Sequence, residues 1–197
     1  MNDEAGDRKI MKTRINILNK LIEENDFQRY LEIGYARGES FKAIKCKHKE
    51  AVDPVIKEKK AGLHAMTSDE FFTQYEGEPF DLIFLDGLHH CDQLRKDINN
   101  ASKHLTENGV ICVHDINPFD EKSQEVPFDG HHIWNGDCYK TWVGFRKKYP
   151  TVKTKVYLFD HGVGCIFPKG KKFKAHYEDT GLTYAEFVAD KDNLLGL

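Results

Sequence analysis

Residues 80–118 read FDLIFLDGLHHCDQLRKDINNASKHLTENGVICVHDINP. Two apolar runs, FDLIFL and GVICV, each end near an acid, Asp86 in one case and Asp115 in the other. Between them Leu94, Ile98, Ala101 and Leu105 recur at helical spacing, and the glycine of ENGV is the expected stop. A strand apolar at nearly every position is buried on both faces, as parallel strands are beneath crossover helices. The segment therefore predicts strand, helix, strand, with a right-handed connection.

Working toward the N-terminus, YLEIGYARGES (30–40) is a short strand over Tyr30–Ile33 that breaks into Gly34, Ala36 and Gly38. An ordinary turn needs one glycine, whereas small residues at alternate positions allow a ligand to approach the backbone. Phe41 and Ile44 mark the helix that follows. EAVDP (50–54) reads as a second strand closed by Asp53-Pro54, and GLHAM (62–66) as a weak third. SDEFFTQY (68–75) opens a helix with Ser68 as its cap. Met11, Ile15, Leu18 and Ile22 give an N-terminal helix one apolar face.

Toward the C-terminus, 116–137 has no periodicity, and a loop of that length points to function or to disorder. YKTWVGFRKKY (139–149) is helical, with Trp142, Val143 and Phe145 as its core face. VKTKVYLFDHGVGCIF (152–167) predicts two strands joined by an Asp160-His161-Gly162 turn. The polar tail from Pro168, including the charge run Lys169–Lys174, is expected to pack loosely in solvent. Alternating strands and helices before a hairpin predict the α/β class. The expected architecture is one Rossmann-like, doubly wound domain with a mostly parallel sheet of about seven strands and an antiparallel C-terminal hairpin. Residues 1–27 form its N-terminal helical segment, 28–167 the core and 168–197 a peripheral tail, with no linker to a second domain.

The chain has 197 residues, 40% hydrophobic and 31% charged, with a net charge of -3, so it lacks the basic footprint of a nucleic-acid binder. No apolar run approaches the length of a membrane span, and MNDEAGDRKIMK has no signal-type apolar stretch. The cysteines at 46, 91, 112, 138 and 165 are odd in number and form no C-x-x-C pair. That argues against a disulfide framework or structural zinc and places the chain in a reducing cytoplasm. Open parallel sheets bind ligands at the carboxyl ends of their strands. Glu32, Asp53, Asp86 and Asp115 all fall there, giving an acidic rim that suits a ligand with positive charge or donor groups.

These residues resemble class I S-adenosylmethionine (SAM) dependent methyltransferases. Glu32-x-Gly34-x-Ala36-x-Gly38 is similar to their E/D-x-G-x-G-x-G motif, with alanine at the middle glycine. The D-G-x-H and H-D endings of 86–89 and 114–115, with WNGDCYKTW and DHGVGCIF, resemble a small subgroup often associated with sugar modification. The resemblance spans about 28–167 and implies Glu32, Gly34, Ala36 and Gly38 around the methionine end of SAM. It further implies Asp53 on the ribose, Thr67 and Ser68 at the adenine, and Asp86 reaching both cofactor and chemistry. The implied reaction is O-methylation of a sugar or other small hydroxylated metabolite, and a homodimer is compatible with it.

Methyl transfer to a hydroxyl needs a general base or a metal ion that lowers the hydroxyl pKa. Asp86, His114 and Asp115 could hold a divalent ion such as Mg or Mn, the histidine favouring transition ions. Alternatively His89 or His114 is the base, oriented by Asp86 or Asp115. His90 should face away from the rim, and His131-His132 reads as a solvated pair. Trp134, Asp137 and Lys140 are candidate acceptor contacts. Two other readings are a SAM-binding protein without turnover and an NAD-dependent dehydrogenase. The second lacks the G-x-G-x-x-G fingerprint.

Overall fold

The computed structural model describes residues 13–130, 133–174 and 181–197. Met11 and His131-His132 lie outside them. A seven-stranded sheet runs in the order β3-β2-β1-β4-β5-β7-β6. Its strands are β1 (Arg29–Ile33), β2 (His48–Val52), β3 (Leu63–His64), β4 (Phe80–Leu85), β5 (Leu105–Val113), β6 (Lys153–Tyr157) and β7 (Val163–Phe167). Strands β1 to β5 pair in parallel, while β7 is antiparallel to both β5 and β6. Strand order reverses between β1 and β4, so the carboxyl ends of those neighbours form the switch point where such sheets open a crevice.

Strand side chains alternate between two apolar layers. Tyr30, Leu82, Phe84, Val110 and Cys112 pack on Ile17, Leu18, Leu21 and Ile22 of helix α1 (Arg14–Asn25). Leu31, Ile33, Ile83, Leu85, Ile111 and Val113 face the opposite layer. That layer is built from α3 (Ser68–Gln74), α4 (Cys91–Lys103) and α5 (Cys138–Lys148). Helix α2 (Glu39–Ala43) is one short turn after the glycine loop and places Phe41 against the first layer.

Four local expectations change. The cap of α3 is Thr67, whose hydroxyl accepts from the Glu70 amide while the Glu70 carboxylate accepts from the Thr67 amide. This reciprocal pair outcompetes a serine cap at 68. Leu105 begins β5 instead of ending α4, and residues 107–110 lie in the strand. Pairing jumps from Phe80↔Leu105 to Leu82↔Val110, so the extra residues are absorbed as an irregularity, not a helix stop. The face of α1 is Ile17, Leu18, Leu21 and Ile22, with Ile15 only half-buried. The tail is not loose, because Phe173, Phe187 and Leu195 are at most 2% exposed. Phe187 and Leu195 come from helices α6 (Tyr184–Ala189) and α7 (Lys191–Leu195). The Trp142 indole donates to the Leu195 carbonyl at 3.3 Å, sealing the tail onto α5. Each buried aromatic or leucine of this kind contributes about 1.5–3 kcal/mol.

Candidate active site

The glycine loop leaves β1 at the switch point. Gly34 has φ +97°, and a Cβ there would lie 1.9 Å from the Asp86 carbonyl oxygen. Glycine is required because β1 and β4 approach so closely. Ala36 stands at φ +47°, so the alanine in the middle position keeps the left-handed backbone a glycine would adopt more cheaply. Asp53, at the end of β2, fixes the loop. Its carboxylate accepts from the Tyr35 and Ala36 amides at 2.9 and 3.0 Å, and from Val55 at 3.0 Å. Glu32 plays no such part: its Oε2 accepts from the Tyr30 hydroxyl at 2.5 Å. Burial raises its pKa to about 7, against the hydrogen bond from Tyr30.

Beside the loop lies a cavity of about 320 Å³. Ile33, Val52 and Leu88 give it apolar walls, and Ser68, Gln93 and Asp97 a polar end. Gln93 donates to Ser68 at 3.2 Å and to Asp97 at 3.1 Å. Burial pushes the Asp97 carboxyl up to about 6. Gly34, Asp53 and Gly87 are shared with a second cleft of about 520 Å³, so the two spaces adjoin.

The second cleft holds the chemistry. His114 Nδ1 lies 3.0 Å from Asp86 Oδ1 and 2.9 Å from Asp115 Oδ2. Its Nε2 is 2.6 Å from the Asp160 carbonyl, which only accepts, so Nε2 carries a proton. His89 Nε2 lies 3.3 Å from Asp86 Oδ1 and 3.3 Å from Asp115 Oδ2. His89 reaches there from a left-handed φ of +58°. Gly136 packs under it, where a Cβ would sit 1.8 Å from the His89 carbonyl oxygen. Asp115 Oδ1 accepts from Asn135 Nδ2 at 2.5 Å, while its buried Oδ2 and the His89 Nδ1 have no partner with hydrogen-bond geometry. Burial opposes charge on both histidines, yet the facing carboxylates win and raise their pKa values, that of His114 well above the usual range. Asp86 falls well below the carboxylate range for the reciprocal reason: His114 and His89 outweigh its burial.

Arg14, from the start of α1, also enters the rim. Its backbone amide and Nη1 donate to Asp160 at 2.6 and 3.0 Å, and its Nε lies 3.6 Å from Asp86 Oδ2. Arg14, Asn135, Asp160 and His161 were not foreseen from sequence. The acid-ended turn 160–162 was the one visible hint, since it returns the chain to the β5 end.

The acceptor candidates divide. Trp134 lines the cleft, but its ring already stacks on His89 at 5.3 Å and on Phe128 at 5.0 Å, so it is not an open platform. Asp137 Oδ1 accepts from the Cys91 amide at 2.7 Å, at the start of α4, and Lys140 lies 3.5 Å from Asp137. Neither Asp137 nor Lys140 lines the cleft. His90 is the residue before α4, edge-on to Trp134. Thr67, Ser68 and Asp53 line the smaller cavity, and Glu32, Gly34, Ala36 and Asp86 the larger cleft.

A family described as a methyltransferase domain matches residues 44–116. That stretch is therefore similar to a methyltransferase domain. Solved structures share the fold. An O-methyltransferase from Bacillus cereus in complex with SAH is 13% identical over 78% of this chain and 80% of that one, with a TM-score of 0.54. The SAH-bound Podospora anserina methyltransferase PaMTH1 is 18% identical over 87% and 83%, with a TM-score of 0.57. MycE from the mycinamycin pathway, solved with Mg, SAH and mycinamycin VI, is 16% identical over 86% of this chain and 51% of that chain, with a TM-score of 0.52. No curated protein matches the sequence. Among the described residues, no helix is long and apolar enough to cross a membrane.

Proposed function

We propose that the chain, acting as one domain, is a SAM-dependent O-methyltransferase for a small hydroxylated molecule, with a sugar-containing metabolite as the leading class. The observation that carries this is the adjoining pair of spaces at the switch point, one half apolar and base-sized, the other lined with acids. The residues present fit SAM. Gly34 lets the loop leave β1 hard against the end of β4, and Asp53 holds the loop amides in place. Glu32 supplies an acid to the positive amino-acid end, and Ser68, Gln93 and Asp97 supply polar atoms to a base edge. When bound, SAM supplies an electrophilic methyl group.

The residues also fit a divalent ion: one ligand atom each from Asp86, His114 and Asp115 lies within 4.8 Å of the others, and Asp115 Oδ2 is buried without a partner. Such an ion would lower the pKa of an acceptor hydroxyl. Both ring nitrogens of His114 are engaged and the unpartnered His89 Nδ1 is buried, so metal-assisted deprotonation suits this geometry better than a free histidine base. Asp160 orients the His114 ring through its carbonyl, and Asn135 holds Asp115. Arg14 balances the acids and closes the α1 side of the cleft.

The test is SAH production, followed by mass spectrometry, with SAM and a panel of sugar, phenolic and aliphatic alcohols. Turnover on a sugar-containing alcohol is expected and should stop on chelation. SAM binding without turnover on any acceptor would instead indicate a binding protein.

A further inference from the structure

Charge is unevenly spread along the chain. Residues 146–174 hold nine lysines and arginines and a single acid, Asp160, against twenty and thirty-one over the remainder. A strongly positive segment in a chain of net charge -3 is an asymmetry that marks a surface for a polyanion.

The fold gathers these residues at the pole opposite the cleft. Lys147 and Lys148 end α5, Lys153 opens β6, and four lysines lie in 169–174, the segment that leaves β7. That segment turns under the start of β5. The Lys172 ammonium donates to the Leu105 carbonyl at 3.3 Å, and the Phe173 amide to the Ser102 hydroxyl at 2.9 Å. The Lys174 amide donates to the Tyr149 hydroxyl at 3.3 Å, which joins the segment to the end of α5. With Phe173 buried beneath it, the segment is pinned and its lysines are exposed on a fixed backbone. None of these lysines forms an ion pair among the described residues. Complementing the carbonyls of a helix end accounts for Lys147 and Lys148. It does not account for Lys153 or the four lysines after β7, which lie on no helix. Asp160 sits at the other end of the sheet, bonded to Arg14.

We propose that this basic pole docks the protein reversibly on an anionic phospholipid bilayer. The inference goes beyond methyl transfer and does not rest on it. A bilayer fits better than a nucleic acid. The one arginine of the segment, Arg146, turns inward and donates to the Asn193 and Leu194 carbonyls at 2.8 and 2.6 Å. The rings beside the lysines are covered by them: Lys171 Nζ lies 5.2 Å over Tyr149 and Lys153 Nζ 5.2 Å over Phe167. That leaves no open platform there on which bases could stack. Lysines are point charges, suited to the diffuse field of many headgroup phosphates. The acidic remainder of the chain is repelled by the same field, which orients the molecule with the pole down. The cleft, at the carboxyl ends of the parallel strands, then opens away from the lipid toward water.

The test is cosedimentation of the full chain with vesicles of phosphatidylcholine alone or mixed with phosphatidylglycerol. Binding is expected to the mixed vesicles only, and it should fade as added salt shortens the screening length. Each lysine near such a surface contributes roughly fivefold, so Lys148→Gln, Lys169→Gln and Lys174→Gln combined should weaken binding roughly a hundredfold. Lys57→Gln, Lys59→Gln and Lys60→Gln combined remove the same charge from the exposed β2–β3 connection and should bind as the wild type does. Circular dichroism confirms that each variant is folded. No binding to the mixed vesicles, or equal losses in the two triple variants, would overturn the proposal. Tighter binding to a DNA duplex than to the vesicles at equal phosphate would also overturn it, making the pole a nucleic-acid surface. SAM binding, measured on the same protein, stands or falls separately.

Discussion

The two halves of the rim are built by different means. Over β1 to β3 the site is made of backbone: a glycine loop, its amides held by a carboxylate 17 and 18 residues away. Over β4 and β5 it is made of side chains gathered from across the chain. Arg14 meets Asp160 across 146 residues and His114 meets Asp160 across 46, while Asn135 reaches Asp115 across 20. A backbone cradle tolerates little change in sequence, because close approach admits only glycine and an amide-binding acid. A side-chain cluster can be assembled from many sources, so it is where chemistry and acceptor choice can vary within one fold.

This contrast can be sharpened first through Glu32, an acid on the backbone side that holds its proton up to about pH 7. Burial lifts its pKa from 4.5 to about 7. From about pH 4.5 upward the unfolded chain gives up this proton while the folded chain keeps it. Glu32 therefore lowers stability as pH rises through that window, by roughly 3 kcal/mol in full, with no further loss above about 7. Glu32→Gln should flatten this part of the profile, making the variant the more stable protein at pH 8 and nearly equal to wild type at pH 4.5. Urea unfolding at the two pH values gives the comparison. An identical pH dependence in both proteins would mean that Glu32 is already ionised in the fold, and that the two rim halves are charged alike.

A smaller effect is expected at Asp137, which belongs to neither half. It accepts from the Cys91 amide at the start of α4, so Asp137→Ala should cost about 1 kcal/mol, as loss of a helix cap does. SAM affinity and the acceptor KM should not move. A raised KM with unchanged stability would return Asp137 to the acceptor site and extend the side-chain half into the 116–137 loop.

What was legible in the sequence follows the same division. The glycine spacing at 34–38 and the acids closing β1, β2, β4 and β5 were readable, since each depends on residues close in sequence. The apolar strands gave the parallel sheet for the same reason. The tail was misjudged because Phe173, Phe187 and Leu195 are spaced too widely to show periodicity, and their burial depends on Trp142 and Phe145. Arg14 was missed because a single arginine opening a helix looks solvated until Asp160 is brought opposite it. Trp134 and Asp137 were candidate acceptor contacts, but the partners that occupy them, His89 with Phe128 and the Cys91 amide, are set by tertiary contacts.

The central claim is that the Asp53-anchored loop and its adjoining cavity bind SAM. Isothermal titration of SAM into wild type and Asp53→Ala, with circular dichroism confirming both folds, tests it directly. The account predicts one site in the wild type and a loss of roughly 1–3 kcal/mol in the variant, the cost of leaving the loop amides and their ligand unmatched. No saturable SAM binding by the wild type, or equal affinity in the two proteins, would contradict it.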